Sequence, residues 1–489
     1  MRTRIIRYGL KGLAVLAGVV FLGACYLAGA PETGDLTFSL PTSDDFARMG
    51  LQPQVAEGDY DTARIYLSVQ RAESVRLLDL TEGEETPPYL QVDDNEANSV
   101  TLSDIPVGSD YRLYAAFLSG DTLVAYAQSG LFDVSAGDNE AQTITLVESG
   151  FTTPAADLAA ANITGLTASE GSIYLSTADS VVYAVSAAGD SEDISDAATT
   201  GTVNSVSGGG LSPAVYVNAE NGIYGVSGST LTVLEGYDAT AYGAALTSIG
   251  FEADGTTAIA FQTATGLGFA SDTATADTWE FFDTQEFVEG AAILDFAVDA
   301  TDTEGKAFLA TKVGGFAVSP ADISDDDDEA DSLDDLGEGV DVVQAIDVFS
   351  FYDGQINNNV AVGLAFDPQE SNLYVATRGA GGAYSVDVIT NAEGETVFSS
   401  GTQLAGVAKS VEDLAVQAGS DNPYVAFLSK FSVVLYRDGE GVVAEYPFVA
   451  YDTEPGQSTL ITFRDTNGDD TDDELVIAGS NGLRVLTLP

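Results

Sequence analysis

The chain of 489 residues has no histidine. That absence removes Ser-His-Asp hydrolysis, imidazole acid–base chemistry and histidine-ligated zinc together. Cysteine occurs once, at Cys25, which excludes an intrachain disulfide, a cysteine-rich metal site and a dithiol redox pair. Positive charge is scarce as well: 17 Lys plus Arg stand against 76 Asp plus Glu, a formal net charge of -59. A field of that strength repels phosphate backbones and anionic headgroups, so a nucleic-acid partner is excluded while cations and cationic partners stay open. Long apolar runs are missing too. The run from Leu13 to Leu22 is short of the about 20 residues that a membrane-spanning helix needs.

What is present suffices for packed domains: 45% hydrophobic residues, with 21 Tyr and 23 Phe. Few lysines beside abundant Ala, Val, Gly and Thr resemble proteins of salt-loving organisms, in which screening relieves self-repulsion. An ordinary acidic exported protein is the competing reading.

The N-terminus MRTRIIRYGLKGLAVLAGVVFLGAC has the basic start, apolar middle and small-residue end of an export signal. Leu22-Gly23-Ala24-Cys25 resembles the lipobox of bacterial lipoproteins. The resemblance implies a signal peptide over 1–24, diacylation of Cys25, and a tether over 25–34. Cleavage after Ala28-Gly29-Ala30 and an uncleaved anchor from Ile5 to Ala30 are the alternatives; Pro31 disfavours the first. Each alternative places the remaining chain outside the cytoplasmic membrane, and Tyr26, standing where a retention signal has Asp, favours the outer membrane or cell surface.

Residues 35–150 carry short alternating segments with Asp, Gly and Pro punctuation, among them ARIYLSVQR from Ala63 and DYRLYAAFL from Asp110. Period-two patterning of this kind predicts an antiparallel β-sandwich of about seven strands. The phrase LSDIPVGSDYRLYAAFLSGD resembles fibronectin type III-like or carboxypeptidase-regulatory-like modules, which implies structural roles for Ile105, Pro106, Gly108 and Tyr111.

From 151 to 489 one pattern recurs seven times: an apolar strand, a polar turn, a second apolar strand, a tight turn, and a third strand. Second strands start near Ile173, Val215, Ile259, Ala307, Leu373, Tyr424 and Leu475. Most of these steps match the about 40 to 50 residues of a four-stranded blade, which predicts a seven-bladed β-propeller. The fold class expected is therefore all-β, an N-terminal β-sandwich followed by a seven-bladed β-propeller. One longer step contains ISDDDDEADSLDDLGEGVD, Ile323 to Asp341, whose like charges predict a solvated loop. The last repeat reaches Pro489 after its third strand, so its outer strand is expected from the segment at about 148 to 158.

In that last repeat, RDTNGDDTDDELV places Asp465, Asn467, Asp469 and Asp473 at alternating positions, with the Thr471 carbonyl between them. Calcium takes six to eight hard oxygens, and this spacing suits it. The stretch resembles an FG-GAP or VCBS-type propeller repeat, which implies a structural calcium ion in the turn between the first two strands. Asp470 stands where that loop has glycine, and a metal-free acidic turn is the competing reading.

No carboxylate pair stands out among the many in turns, so no catalytic residue is assigned and an enzyme is not expected. Arg378 and Lys312, rare cations just after second strands, are expected at solvent-exposed turns. The function expected is a membrane-anchored extracytoplasmic binding or scaffold protein, monomeric, whose propeller face meets an envelope protein or a polysaccharide. A carboxylate-dependent enzyme acting on carbohydrate is the alternative; a cluster of acids facing the central channel would favour it.

Overall fold

The computed structural model describes residues from Thr33 to Pro489, apart from 42–61, 78–89, 94–98, 271–278, 284–292, 319–359, 448–459 and shorter segments. Cys25, the signal segment, most of the tether and the Ile323–Asp341 insert thus lie outside the described residues.

Two sheets form the N-terminal part. In the first, Thr33–Ser39 pairs antiparallel with Ser99–Pro106 and parallel with Gly137–Asp138 and Gln142–Thr143. The second runs Thr145–Val147, Thr122–Gln128, Gly108–Ser119, Thr62–Arg71, Ser74–Leu77, with Leu90–Asp93 and Phe132–Val134 at its sides. Leu36, Phe38 and Leu102 of the first sheet share one core with Ile65, Leu67, Leu113 and Phe117 of the second. The parallel pairs were not expected. They arise because the chain from Gly137 to Val147 divides between the sheets, Gly137–Asp138 and Gln142–Thr143 joining one and Thr145–Val147 the other. Leu90–Asp93, four residues long, carries too little alternation to register in the sequence.

The Ile105-Pro106 corner works as a brace. Tyr111 is buried and its Oη donates to the Pro106 carbonyl at 2.6 Å. A Cβ on Gly108 would come within 3.3 Å of the same ring, so glycine leaves the tyrosine its place.

Strand alternation sends Tyr66, Ser68, Tyr114 and Tyr126 to the face of the second sheet opposite the shared core, yet all four are buried. Two side chains of the propeller, Arg484 and Glu445, interact electrostatically with tyrosines of that face. Burial pushes the Arg484 guanidinium below its ordinary pKa while Tyr126 opposes the shift; burial raises the Tyr114 phenol, Arg112 lowers it, and Glu445 adds a smaller upward push.

Seven antiparallel sheets follow in chain order. Their innermost strands are Ile163–Ser169, Val203–Gly208, Ala245–Ala253, Ile293–Val298, Val360–Asp367, Val411–Val416 and Leu460–Arg464. Each packs against the inner strand of the next blade, and the seventh packs against the first, which closes the ring of a seven-bladed β-propeller. Second strands such as Val215–Ala219 and Tyr424–Ser429 are buried at every residue. Both faces of a blade are covered by its neighbours, so these strands read as continuous apolar runs, whereas the outer strand Thr230–Val233 is largely exposed.

Closure uses the segment expected for it. Thr152 and Val485 exchange both backbone hydrogen bonds, 2.8 and 2.9 Å, beside the three strands of blade 7. Phe151 adds an edge-on contact to Tyr446 of blade 6, with ring centroids 6.4 Å apart.

Candidate functional site

The inner strands of blades 1 to 6 share a local irregularity. In each, the register with the second strand slips by one residue near the strand's start, at 163/165, 203/205, 245/247, 293/295, 361/363 and 411/413. A β-bulge bends the strand and re-aims the side chain that follows it. That following residue is Gly165, Ser205, Thr247, Asp295, Gly363 and Asp413 in turn.

Several of these polar side chains reach the next blade. Ser205 Oγ donates to the Leu246 carbonyl of blade 3. Asp295 Oδ2 accepts from the Leu364 amide of blade 5 at 2.7 Å, and Asp413 Oδ2 accepts from the Ile461 amide of blade 7 at 2.9 Å. The other oxygen of Asp413 accepts from its neighbour's amide, Leu414, at 2.8 Å. The innermost strand of a blade is hydrogen-bonded on one side only, and a carboxyl from the adjacent blade takes up an amide on its open edge.

The two aspartates flank blade 5. A Cβ on Gly363 would stand 3.0 Å from Leu414 Cδ2 and 3.7 Å from Asp413 Oδ1, so glycine is what lets blades 5 and 6 approach this closely. Burial pushes the Asp295 carboxyl up to about 7, against the pull of the Leu364 and Phe296 amides. Burial likewise pushes Asp413 up to about 8, the charge of Asp295 adds to it, and the Ile461 and Leu414 amides oppose it. Near neutral pH the pair therefore holds a proton that ordinary carboxylates have released.

Blades 2 and 3 use neutral groups at the same level. The fully buried Asn218 donates from Nδ2 to Ser205 Oγ at 3.0 Å and Ser207 Oγ at 2.8 Å, and its Oδ1 accepts from Ser248 Oγ. Ser207 Oγ in turn donates to the Ser248 carbonyl at 2.6 Å and accepts from the Ser248 amide at 2.9 Å. Every polar atom of that cluster has a partner.

The acidic turn of blade 7 lies between Leu460–Arg464 and Glu474–Gly479, as expected. Asp465 Oδ1 accepts from the Asn467 and Gly468 amides at 3.0 and 2.8 Å. Asp473 accepts from the Thr466 amide at 2.8 Å, from Thr466 Oγ1 at 2.6 Å and from Asn467 Nδ2 at 3.4 Å. Asp465, Asn467 and Asp473 thus share one turn, Thr471 leans to the Gly419 carbonyl at 3.3 Å, and Asp469 lies outside the described residues. Asp472 leaves the turn to accept from the Ala418 amide of blade 6 at 2.7 Å; burial pushes its carboxyl up to about 6. Among the described residues no three acids gather as metal ligands. Lys312 and the side chain of Arg378 lie outside the described residues.

Asp295 and Asp413 do not stand out by spacing. The available signal was the parallel between ILDFAV and VEDLAV, which put an aspartate at the third position of two first strands.

No family model matches the chain, and no curated protein matches it. Among solved structures, the β-propeller domain of Myceliophteria thermophila Cps50 (Swd1) is similar at 8% identity and a TM-score of 0.44, over 67% of this chain and 97% of that one. BBS1N in complex with ARL6DN is similar at 13% identity and a TM-score of 0.45, over 70% and 98%. YCF48 bound to D1 peptide is similar at 11% identity and a TM-score of 0.41, over 68% and 93%. Likeness at this level concerns the fold alone. The strand order and ring closure described above carry the assignment of this chain as a β-propeller protein.

Proposed function

We propose that the protein is a binding or scaffold protein held outside the cytoplasmic membrane by a lipid on Cys25, with the propeller as its recognition surface. The observation that carries this reading is the use made of two half-buried acids of the ring. Asp295 and Asp413, the groups whose shifted pKa values best suit acid–base work, each have an oxygen committed to a backbone amide of the next blade. Carboxyls used as braces make a rigid ring, and a rigid ring with variable loops is suited to recognition. The partner is an envelope protein with a cationic face, complementary to the net charge of -59, or a polysaccharide.

Crosslinking in native membranes followed by recovery of the protein tests this. One stoichiometric envelope protein in the recovered material is the expected result; none would shift the reading to a ligand binder or an enzyme. Replacing Cys25 by serine is expected to move the protein from the membrane to the soluble fraction, and retention would remove the anchor from the account.

A carbohydrate-active enzyme is the second reading, and the mutual influence of Asp295 and Asp413 is what favours it. Envelope polysaccharide cleaved by the native protein and left intact by Asp413→Asn would establish it. Calcium in the blade 7 turn belongs to the first reading as a brace near the ring's closure, with Asp465, Asn467, Asp469, Asp473 and the Thr471 carbonyl as its ligands.

A further inference from the structure

We propose that the N-terminal sandwich stands in for a fourth strand of blade 7, its tyrosine-bearing face closing the rim of blades 6 and 7 so that sandwich and ring form one rigid unit. Blades 1, 2, 3 and 6 each have four strands in their sheets, whereas blade 7 has three among the described residues. Its third strand, Gly482–Thr487, meets Thr152 in a single bridge at Val485. In an antiparallel ladder the residues two positions from Val485, Leu483 and Thr487, turn their backbone groups to the same open side. There the Leu483 carbonyl accepts from Arg484 Nη1 at 2.9 Å. A bare edge of this kind is a template for strand addition, yet the arginine that caps it is only 4% exposed. Something covers the edge in turn.

Chain connection identifies the cover. Val147 ends the last strand of the sandwich in register with Tyr126, and Thr152 follows five positions later. Five residues reach at most about 18 Å, so the Tyr126 edge of the sandwich is held at the open side of blade 7. Phe151 fixes the direction by its edge-on contact with Tyr446 in the outer strand of blade 6. Tyr66, Tyr114 and Tyr126 stand on adjacent strands of the second sheet, on the face turned from the sandwich core, and span about 10 Å. All three are buried, so this face is covered as well. The rim of the ring meets it: Arg484 of blade 7 interacts electrostatically with Tyr126, and Glu445, beside Tyr446, with Tyr114. Arg64 and Arg112 share the tyrosine face by strand alternation. A face with two cations suits the rim of a chain whose net charge is -59.

The joint has a consequence beyond the recognition role. It removes the rim of blades 6 and 7 from the surfaces that a partner can reach, and it fixes the attitude of the ring relative to the sandwich. Neither effect depends on a lipid at Cys25 or on an envelope partner, so a purified chain suffices to test the joint separately from that role.

The test is hydrogen exchange read by mass spectrometry on the full chain. Tyr126→Ala, a change made in the sandwich, is expected to raise exchange in the propeller strand Gly482–Thr487 at least about fivefold, while Val215–Ala219 of blade 2 exchanges as in the wild type. Arg484→Ala should act in the opposite direction, raising exchange in the sandwich strand Thr122–Gln128. Effects confined to the domain that carries the substitution overturn the proposal. Should Tyr126→Ala not fold, the wild type decides in its place: Thr122–Gln128 and Gly482–Thr487 lose protection at one urea concentration when they belong to one unit, and separate midpoints overturn the joint.

Discussion

Replacing Asn218 by alanine should weaken the ring where it is held by neutral groups. The amide sits at 0% exposure and makes three side-chain hydrogen bonds, to Ser205, Ser207 and Ser248. Each buried bond contributes about 1 kcal/mol net, and the void left by the amide adds about 1 kcal/mol. The expected loss is therefore about 3–5 kcal/mol. Asn218→Asp should be worse than alanine at alkaline pH. Ser205 and Ser207 already give their hydroxyl protons to the Leu246 and Ser248 carbonyls, so their lone pairs would face a carboxylate. Burial raises the folded-state pKa of such a carboxyl, so the penalty shrinks as pH falls toward the ordinary carboxyl range. The assay is built in. Trp279 is the sole tryptophan of the chain, 6% exposed, and its strand pairs with Gly266–Ala270 of blade 3, the blade that supplies Ser248 to the Asn218 cluster. Urea titrations followed by its emission give the midpoints. A loss under about 1 kcal/mol for Asn218→Ala, or an aspartate variant whose deficit does not change with pH, would refute the reasoning.

Other perturbations follow from the same geometry. Asp413 shifts from 3.8 to about 8 on folding, so the folded chain keeps a proton that the unfolded chain releases, and stability falls as pH rises through that interval. The slope approaches about 1.4 kcal/mol per pH unit; Asp413→Asn should flatten it and exceed the wild type by about 2 kcal/mol near pH 8, while equal slopes in urea titrations would count against the burial argument. For the blade 7 turn, a chelator at moderate salt is expected to lower the melting temperature by about 2–4 °C per kcal/mol of calcium brace lost, with Asp469→Ala insensitive to it; an unchanged wild-type melt would remove calcium from the account. Gly268→Ala would set a Cβ 2.1 Å from Phe261 Cζ, and that ring is confined by Tyr237, Tyr242, Trp279 and Phe281. Overpacking there should cost about 1–3 kcal/mol or more and alter tryptophan emission, and a neutral substitution would mean the cluster is looser than described.

The repeat was legible because every blade needs the same apolar second strand, covered on both faces, and seven such runs recur. The closing segment was legible from the seventh repeat, whose third strand Thr152 meets in a single bridge. Val203–Gly208 lacks the apolar signature for a physical reason: its Asn204, Ser205 and Ser207 join blades through hydrogen bonds. Tyr111 was assigned a structural role from its setting, and its bond to the Pro106 carbonyl supplies the cause.

Asp295 and Asp413 were two acids among 76. Composition, spacing and the absence of histidine determined an acidic all-β repeat chain and the chemistries closed to it, because those properties depend on residue type and local period. Which two carboxyls would be half-buried, influence one another and hold amides of the next blade was decided by tertiary structure alone. Burial and charge coupling depend on neighbours brought from other blades, and no local spacing encodes them.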